Sequence, residues 1–261
     1  MDNLRLLPLP ALADNYIWLL ADESGAAVIV DPGEAAPVRA ALERDQLTLS
    51  AILLTHHHPD HVGGVAALTA EFPVPVYAPD DERITTATRT VADGDRIRLD
   101  APPLQFEVIA VPGHTLSHVA YHGAGLLFCG DTLFSVGCGR LFEGSPAQML
   151  ESLDRLAALP GDTLVCCGHE YTVANCAFAA EIEPDNHALA RRWAEARSLR
   201  DRGLPTVPAT LADELACNPF LRIDAPGVVA RFAGELTPNT DRVARFAALR
   251  QRKDDFRVVS P

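Results

Sequence analysis

In AILLTHHHPDHVGG, residues 51–64, an apolar run ends in four histidines and an aspartate, and two glycines follow. AILLT reads as a buried strand, and such strands deliver the loops at their ends to functional sites. His56 and His58 stand two apart in extended chain and point to one side, where they can converge on a cation. Asp60 and His61 open the next helix and reach a neighbouring position. His57 lies between the two converging histidines, points away, and reads as a non-ligand. Gly63 and Gly64 permit close backbone approach behind the site. Imidazole and carboxylate donors suit zinc, iron or manganese.

The same context recurs along the chain. VIAVPGHTLSH sets His114 after an apolar strand and a Pro-Gly turn, GLLFCGDTLF sets Asp131 after another strand, and TLVCCGHEYT does the same for His169. One histidine at a strand end is unremarkable, whereas four such strand ends carrying metal-competent side chains point to a shared site. His118 has two readings that stay open: support of a ligand from behind, or a core histidine bonded to backbone.

The length of 261 residues suits one large domain with a smaller appendage. Hydrophobic content of 48% beside 22% charged residues is that of a globular protein with a sizeable core. No apolar run approaches the ~20 residues of a membrane helix. MDNLRLLPLPALADNY lacks a basic leader and a continuous apolar segment, and reads as an edge strand. Six cysteines without a CxxC pair read as reduced thiols in a cytoplasmic protein. A net charge of -13 disfavours a nucleic-acid partner, and any anion must be held by a few locally placed cations.

Up to about Thr172 short β-rich runs alternate with Gly, Pro and Asp punctuation: YIWLLA, AAVIVD, AILLT, VPVYA, LQFEVIAV, HVAYH, GLLFCG and TLVCCG. Helical patterns cover Ala36–Arg44, Val62–Phe72 and Ala147–Leu159. Several strands are apolar on both faces, which implies sheets covered by helices and an α/β class of αββα sandwich type. Beyond Val173 helical signals dominate. One segment opens near Pro184 and stops at Gly203, Thr210 caps another with Asp213 three residues on, and Pro238 to about Phe256 forms the last helix. The division expected is 1–172 and 173–261, a catalytic domain followed by a helical substrate-binding domain.

THHHPDH, GHT, CGDTLF and GHEYT, in this order, resemble the metallo-β-lactamase superfamily. ADNYIWLL, GCGRLFEG, CNPFLR and RQRKDDF narrow the resemblance to the hydroxyacylglutathione hydrolase (glyoxalase II) family. The resemblance implies one metal held by His56, His58 and His114, a second held by Asp60, His61 and His169, and Asp131 bridging them. It implies two divalent ions, zinc first and iron or manganese next. It further implies hydrolysis of S-D-lactoylglutathione to D-lactate and glutathione, in methylglyoxal detoxification, by a metal-activated hydroxide held by Asp131 and Asp60. A thiol of pKa ~8.5 departs without a strong general acid. The alternative is a persulfide dioxygenase-like enzyme with a single iron. A binding module without the reaction is expected to have lost ligands, and none is missing here.

Arg250 and Lys253 are three apart on the last helix and share a face, with Arg252 directed elsewhere. By the resemblance these two hold glutathione, while Arg140 and Tyr171 contact its glycine carboxylate and peptide. No membrane partner is expected, and a monomer is. Where many members of the family have a lysine, an aromatic residue and a tyrosine, this chain has Arg140, Leu141 and Phe142. The arginine keeps the charge and offers a forked donor, but the ring at 142 has lost a hydroxyl. Restoring it in Phe142→Tyr is expected to return ~1 kcal/mol of binding, about fivefold in KM, with kcat unchanged. Steady-state kinetics with an unaltered KM would reject a role for that hydroxyl.

Overall fold

The computed structural model describes residues 4–233 and 240–257. Two compact units alternate along the chain. One comprises Met1–Ala110, Ser117–Gly130 and Cys166–Glu170, the other Val111–Leu116, Asp131–Val165 and Tyr171–Pro261.

The chain begins with an antiparallel pair, β1 (Leu4–Ala11) and β2 (Asn15–Asp22), followed by β3 (Ala26–Val30). β1 is the edge strand expected of the N-terminus. A crossover through α1 (Ala35–Asp45) brings β4 (Thr48–Leu53) parallel to β3, because parallel neighbours need a connection long enough to return. A second crossover through α2 (Pro59–Val62) and α3 (Val65–Glu71) leads to β5 (Val76–Pro79), and β6 (Arg89–Val91) completes a sheet in the order β1-β2-β3-β4-β5-β6. Ile17, Leu19, Ile29 and Ile52 of this sheet form one core with Val38 and Leu42 of α1 and Val65 and Leu68 of α3.

The next strands run antiparallel: β7 (Arg96–Asp100), β8 (Pro103–Ala110), β9 (Val119–Gly123) and β10 (Leu126–Gly130). Within the first unit the two sheets meet through aromatic side chains. Trp18 of β2 lies 6.4 Å from the Phe128 ring of β10, and the Tyr121 hydroxyl of β9 donates to the Leu54 carbonyl at 2.7 Å.

A small hairpin follows, β11 (Leu133–Phe134) and β12 (Gly137–Cys138), then α4 (Pro146–Ala157), started by a capping box between Ser145 and Gln148. β13 (Leu164–Cys167) precedes a helical region of α5 (Thr172–Ile182), α6 (His187–Asp201), short β14 (Ala209–Thr210), α7 (Leu211–Cys217), α8 (Pro226–Arg231) and α9 (Arg242–Asp255). In the second unit β14 pairs with Leu164 and Val165 of β13. Thr210 caps α7 by accepting from the Asp213 amide, as its spacing suggests. All six cysteines are buried free thiols.

Three expectations need correction. The single helix over 62–72 is two helices, because the Gly64 amide bonds to the Pro32 carbonyl at 2.8 Å instead of continuing the helical ladder. A Cβ at Gly64 would stand 2.5 Å from the Glu34 carbonyl carbon, so only glycine fits there. The segment opening near Pro184 starts one step later, with Asn186 accepting from the amides of Ala188 and Leu189. The last helix begins at Arg242, capped by Asp241, and Pro238 and Asn239 lie outside the described residues.

Candidate metal centre

The parallel strands deliver their C-terminal ends to one place. Asp31 follows β3, and Thr55 and His56 follow β4, the position where α/β sheets hold ligands. Asp31 takes positive φ (51°) and is 4% exposed. Its Oδ1 accepts the Thr55 amide at 2.8 Å, and its Oδ2 accepts the Thr55 hydroxyl at 2.6 Å and His61 Nδ1–H at 2.9 Å. The Thr55 hydroxyl, its proton given to Asp31, accepts in turn from His56 Nδ1–H at 3.0 Å. One carboxylate therefore orients two imidazoles, one directly and one through a hydroxyl.

His58 is the N-cap of α2, and Pro59 at the first helical position sets the turn that carries Asp60 and His61. His169 is reached from the other end of the unit. Its Nδ1–H donates to Asp14 Oδ1 at 2.8 Å, and the Tyr16 amide donates to the Gly168 carbonyl and the Glu170 amide to the Asp14 carbonyl. The donor atoms of Asp60, His61 and His169 lie within 4.8 Å of one another. Asp31, His56 and His61 are also close together, but Asp31 already accepts from Thr55 and His61, so that trio is an orienting network and not a cation site.

In the second unit His114 Nδ1–H donates to the Arg140 carbonyl at 2.9 Å, and His114 Nε2 lies 3.5 Å from Asp131 Oδ2. His56, His61, His114 and His169 thus share one arrangement. Nδ1 carries the proton and donates it to an oxygen, which leaves Nε2 as the atom that could coordinate a metal. His61 Nε2 and His169 Nε2 face Asp60 Oδ2 at 3.6 and 3.4 Å. A lone pair turned toward a carboxylate is repulsive in the absence of a positive charge between them, so this donor set fits a cation. His57 behaves otherwise: its Nδ1 stands 3.5 Å from Asp81 Oδ2. That carboxyl is held well below the usual range, chiefly by Arg83 and also by Ser117. His118 does two things at once, donating to the Val119 carbonyl and stacking on the His56 ring at 4.5 Å.

His114, Asp131, Arg140, Phe142, Tyr171, Arg250 and Lys253 all line one cavity of about 420 Å³ in the second unit, within the range of small-molecule sites. Its lining carries three cations against the single carboxylate of Asp131. Arg250 is buried and donates to the Cys138 carbonyl at 2.7 Å and to Asp254 at 3.0 Å. The Arg140 side chain is 60% exposed, with Nε 3.4 Å from Asp254. Lys253 lies over the Phe178 and Phe256 rings, and burial, with Arg250 beside it, brings its ammonium pKa down to about 8. Phe142 is 64% exposed, its ring edge-on to His114 at 5.2 Å.

Sequence reasoning missed Asp31, Thr55 and Asp14, which orient the histidines, and Asn15, whose side-chain amide donates to Asp60 Oδ2 at 3.0 Å. Asp31 carried a usable signal, since AAVIVD repeats the context of an apolar strand followed by a polar residue.

Sheet, helices and donor set are those of the metallo-β-lactamase superfamily, whose model matches residues 13–169. A second model, described as the C-terminus of hydroxyacylglutathione hydrolase, matches residues 170–256. The chain is 56% identical over 257 residues to hydroxyacylglutathione hydrolase of Xanthomonas campestris pv. campestris strain B100, covering 98% of this chain and 100% of that one. It is 52% identical to the enzyme of the same name from Stenotrophomonas maltophilia strain R551-3, again covering 98% and 100%. Among solved structures, ETHE1 from Myxococcus xanthus aligns with a TM-score of 0.63 at 26% identity, covering 95% of this chain and 97% of that one. TTHA1623 in a di-iron-bound form aligns at 0.54 and 31% identity, covering 63% and 91%. The chain belongs to the hydroxyacylglutathione hydrolase family. Its αββα fold and its histidine and aspartate donors make it a hydrolase that uses divalent metal.

Asp31→Asn is expected to weaken metal affinity about 10–100-fold while the fold persists. Titration against a competing chelator measures this, and an undiminished affinity would reject the orienting role of Asp31.

Proposed function

We propose that this protein hydrolyses S-2-hydroxyacylglutathione thioesters, S-D-lactoylglutathione foremost, to D-lactate and glutathione, and so serves methylglyoxal detoxification. The observation that carries the reading is that one cavity is lined both by metal-competent His114 and Asp131 and by Arg140, Arg250 and Lys253. Hydrolytic chemistry and an anionic substrate are thereby served in the same space. In this reading His56, His58 and His114 would hold one ion, Asp60, His61 and His169 would hold a second, and Asp131 would serve both. Two zinc ions per chain are the expected complement, with iron or manganese as substitutes. When bound, such ions lower the pKa of water from ~15.7 toward 7 and polarise a carbonyl.

The chain's own residues do the rest. Arg250 and Lys253 hold a carboxylate of the glutathione moiety. Arg140 and Tyr171 hold the glycine end, and Phe142 adds an apolar wall beside His114. The leaving thiol, of ordinary pKa ~8.5, departs as thiolate, so neither Asp60 nor Asp131 has to act as a general acid. The reading includes a cytoplasmic monomer divided at 172/173 into a catalytic and a substrate-binding part. No helix among the described residues is long and apolar enough to cross a membrane. The single-iron alternative gives way to relatives of 52–56% identity that carry the hydrolase name, against 26% for ETHE1, and it would leave one donor group without a use.

Purified protein is expected to turn over S-D-lactoylglutathione far faster than a simple thioester without glutathione, and to lose activity on chelation. Equal rates on both thioesters would remove the substrate assignment, and chelator-resistant turnover would remove the metal chemistry. Lys253 makes the binding step sensitive to pH. As pH rises through about 8 the ammonium loses its proton and its charge-assisted bond, so KM is expected to climb about tenfold. In Lys253→Arg, which stays charged, the climb should vanish. A KM independent of pH in the parent protein would exclude Lys253 from carboxylate binding.

A further inference from the structure

The hairpin that follows Asp131 contains a backbone anomaly. Between β11 and β12 the turn residue Val136 takes φ 58°, the left-handed region that a β-branched residue avoids and that turns of this kind fill with glycine or asparagine. Such strain persists only where the surroundings impose it, and it collects at functional sites.

The turn is met by a buried carboxylate. Glu214 of α7 is 0% exposed. Its Oε2 accepts the Val136 amide at 2.7 Å and its Oε1 accepts the Ser135 hydroxyl at 2.7 Å. Arg192 donates to the same hydroxyl at 3.0 Å. Asn218 Nδ2 reaches Glu214 Oε2, the Phe134 carbonyl and the Gly137 carbonyl at 3.2, 3.2 and 3.0 Å. Asn175 donates to the Ser135 carbonyl at 3.0 Å. Burial pushes the Glu214 carboxyl upward, and the Val136 amide, Ser135 and Arg192 oppose that rise. An ionisable group placed so deep among donors is expensive to keep, yet it touches nothing in the cavity. What it touches is the turn whose strands set Phe134 and Cys138 on the cavity wall and lead to Arg140.

We infer that Glu214 is a positioning residue for substrate binding: by accepting the Val136 amide it holds the turn left-handed and so fixes the hairpin that lines the substrate cavity. The inference rests on the cavity being the thioester site. Glutamine at this position has one acceptor oxygen where the carboxylate has two, so it must turn an N–H₂ toward Ser135 or toward the Val136 amide.

The test compares metal-loaded enzyme of four kinds: the parent, Glu214→Gln, Ser135→Ala and the double variant Glu214→Gln with Val136→Gly. Glu214→Gln is expected to raise KM for S-D-lactoylglutathione about tenfold, with kcat within about threefold and metal content per chain unchanged. Ser135→Ala, the milder change if the glutamine variant does not fold, should raise KM about threefold in the same pattern. Val136→Gly added to Glu214→Gln should recover most of the KM, because glycine takes φ near 58° without being held. An unchanged KM in the single variants overturns the inference. So does a loss of kcat and metal at constant KM, or a double variant no better than Glu214→Gln. A parent protein that does not turn over the thioester would sink the functional reading instead. Amide exchange over residues 133–138 then decides the Glu214 assignment: faster exchange in Glu214→Gln upholds it and unchanged exchange rejects it.

Discussion

The Asp31 carboxylate is the contact on which the metal-binding half of the structure depends. It accepts three protons in a space that is almost dry, two from Thr55 and one from His61. A carboxylate so buried is tolerable because both of its oxygens are hydrogen-bonded. In return it fixes the tautomer of His61 and, through the Thr55 hydroxyl, that of His56. These two rings stand 4.2 Å apart between centroids, and without an imposed proton position each would choose the tautomer that suits its neighbour least badly. The parallel pairing of β3 with β4 brings the carboxylate alongside the loop it organises, so sheet register and ligand chemistry are one constraint.

The same logic is repeated with different acceptors. His169 gives its Nδ1 proton to Asp14, and His114 gives its own to the Arg140 carbonyl. The second case ties a metal-competent histidine to the loop that carries a cavity-lining arginine. A shift of that loop is felt at the imidazole within one unit. Glu214 performs a comparable service for the hairpin before it, with backbone amides and hydroxyls in place of imidazoles.

Much of this was legible in the sequence. A strand of apolar residues ending in a metal-competent side chain is a local pattern, and the strands before His56, His114, Asp131 and His169 are where it placed them. The Thr210 cap and the glycine pair at 63–64 were local too, although the pair breaks the helix as well as permitting close approach. What escaped has a common cause. Asp14, Asn15 and Asp31 act on partners 24 to 155 residues away, and a short polar side chain in a turn has many innocent uses. β6 and β7 are short, with exposed polar positions, so no apolar run marks them. Glu214 sits in a helix whose buried glutamate resembles any surface glutamate until the turn that it contacts is known.

The pairing of Asp14, Asn15 and Tyr16 with Gly168, His169 and Glu170 has a consequence for how the molecule comes into being. The first unit closes only when its beginning meets a segment some 150 residues later, and contacts of such sequence separation form late because the loop must be closed before they repay it. On the ribosome the β1–β2 hairpin waits, unpartnered on this side, while all the intervening strands are made. The last histidine of the Asp60–His61–His169 group arrives with the segment that completes the first unit. Assembly of that donor group is thereby deferred until roughly two thirds of the chain has been made.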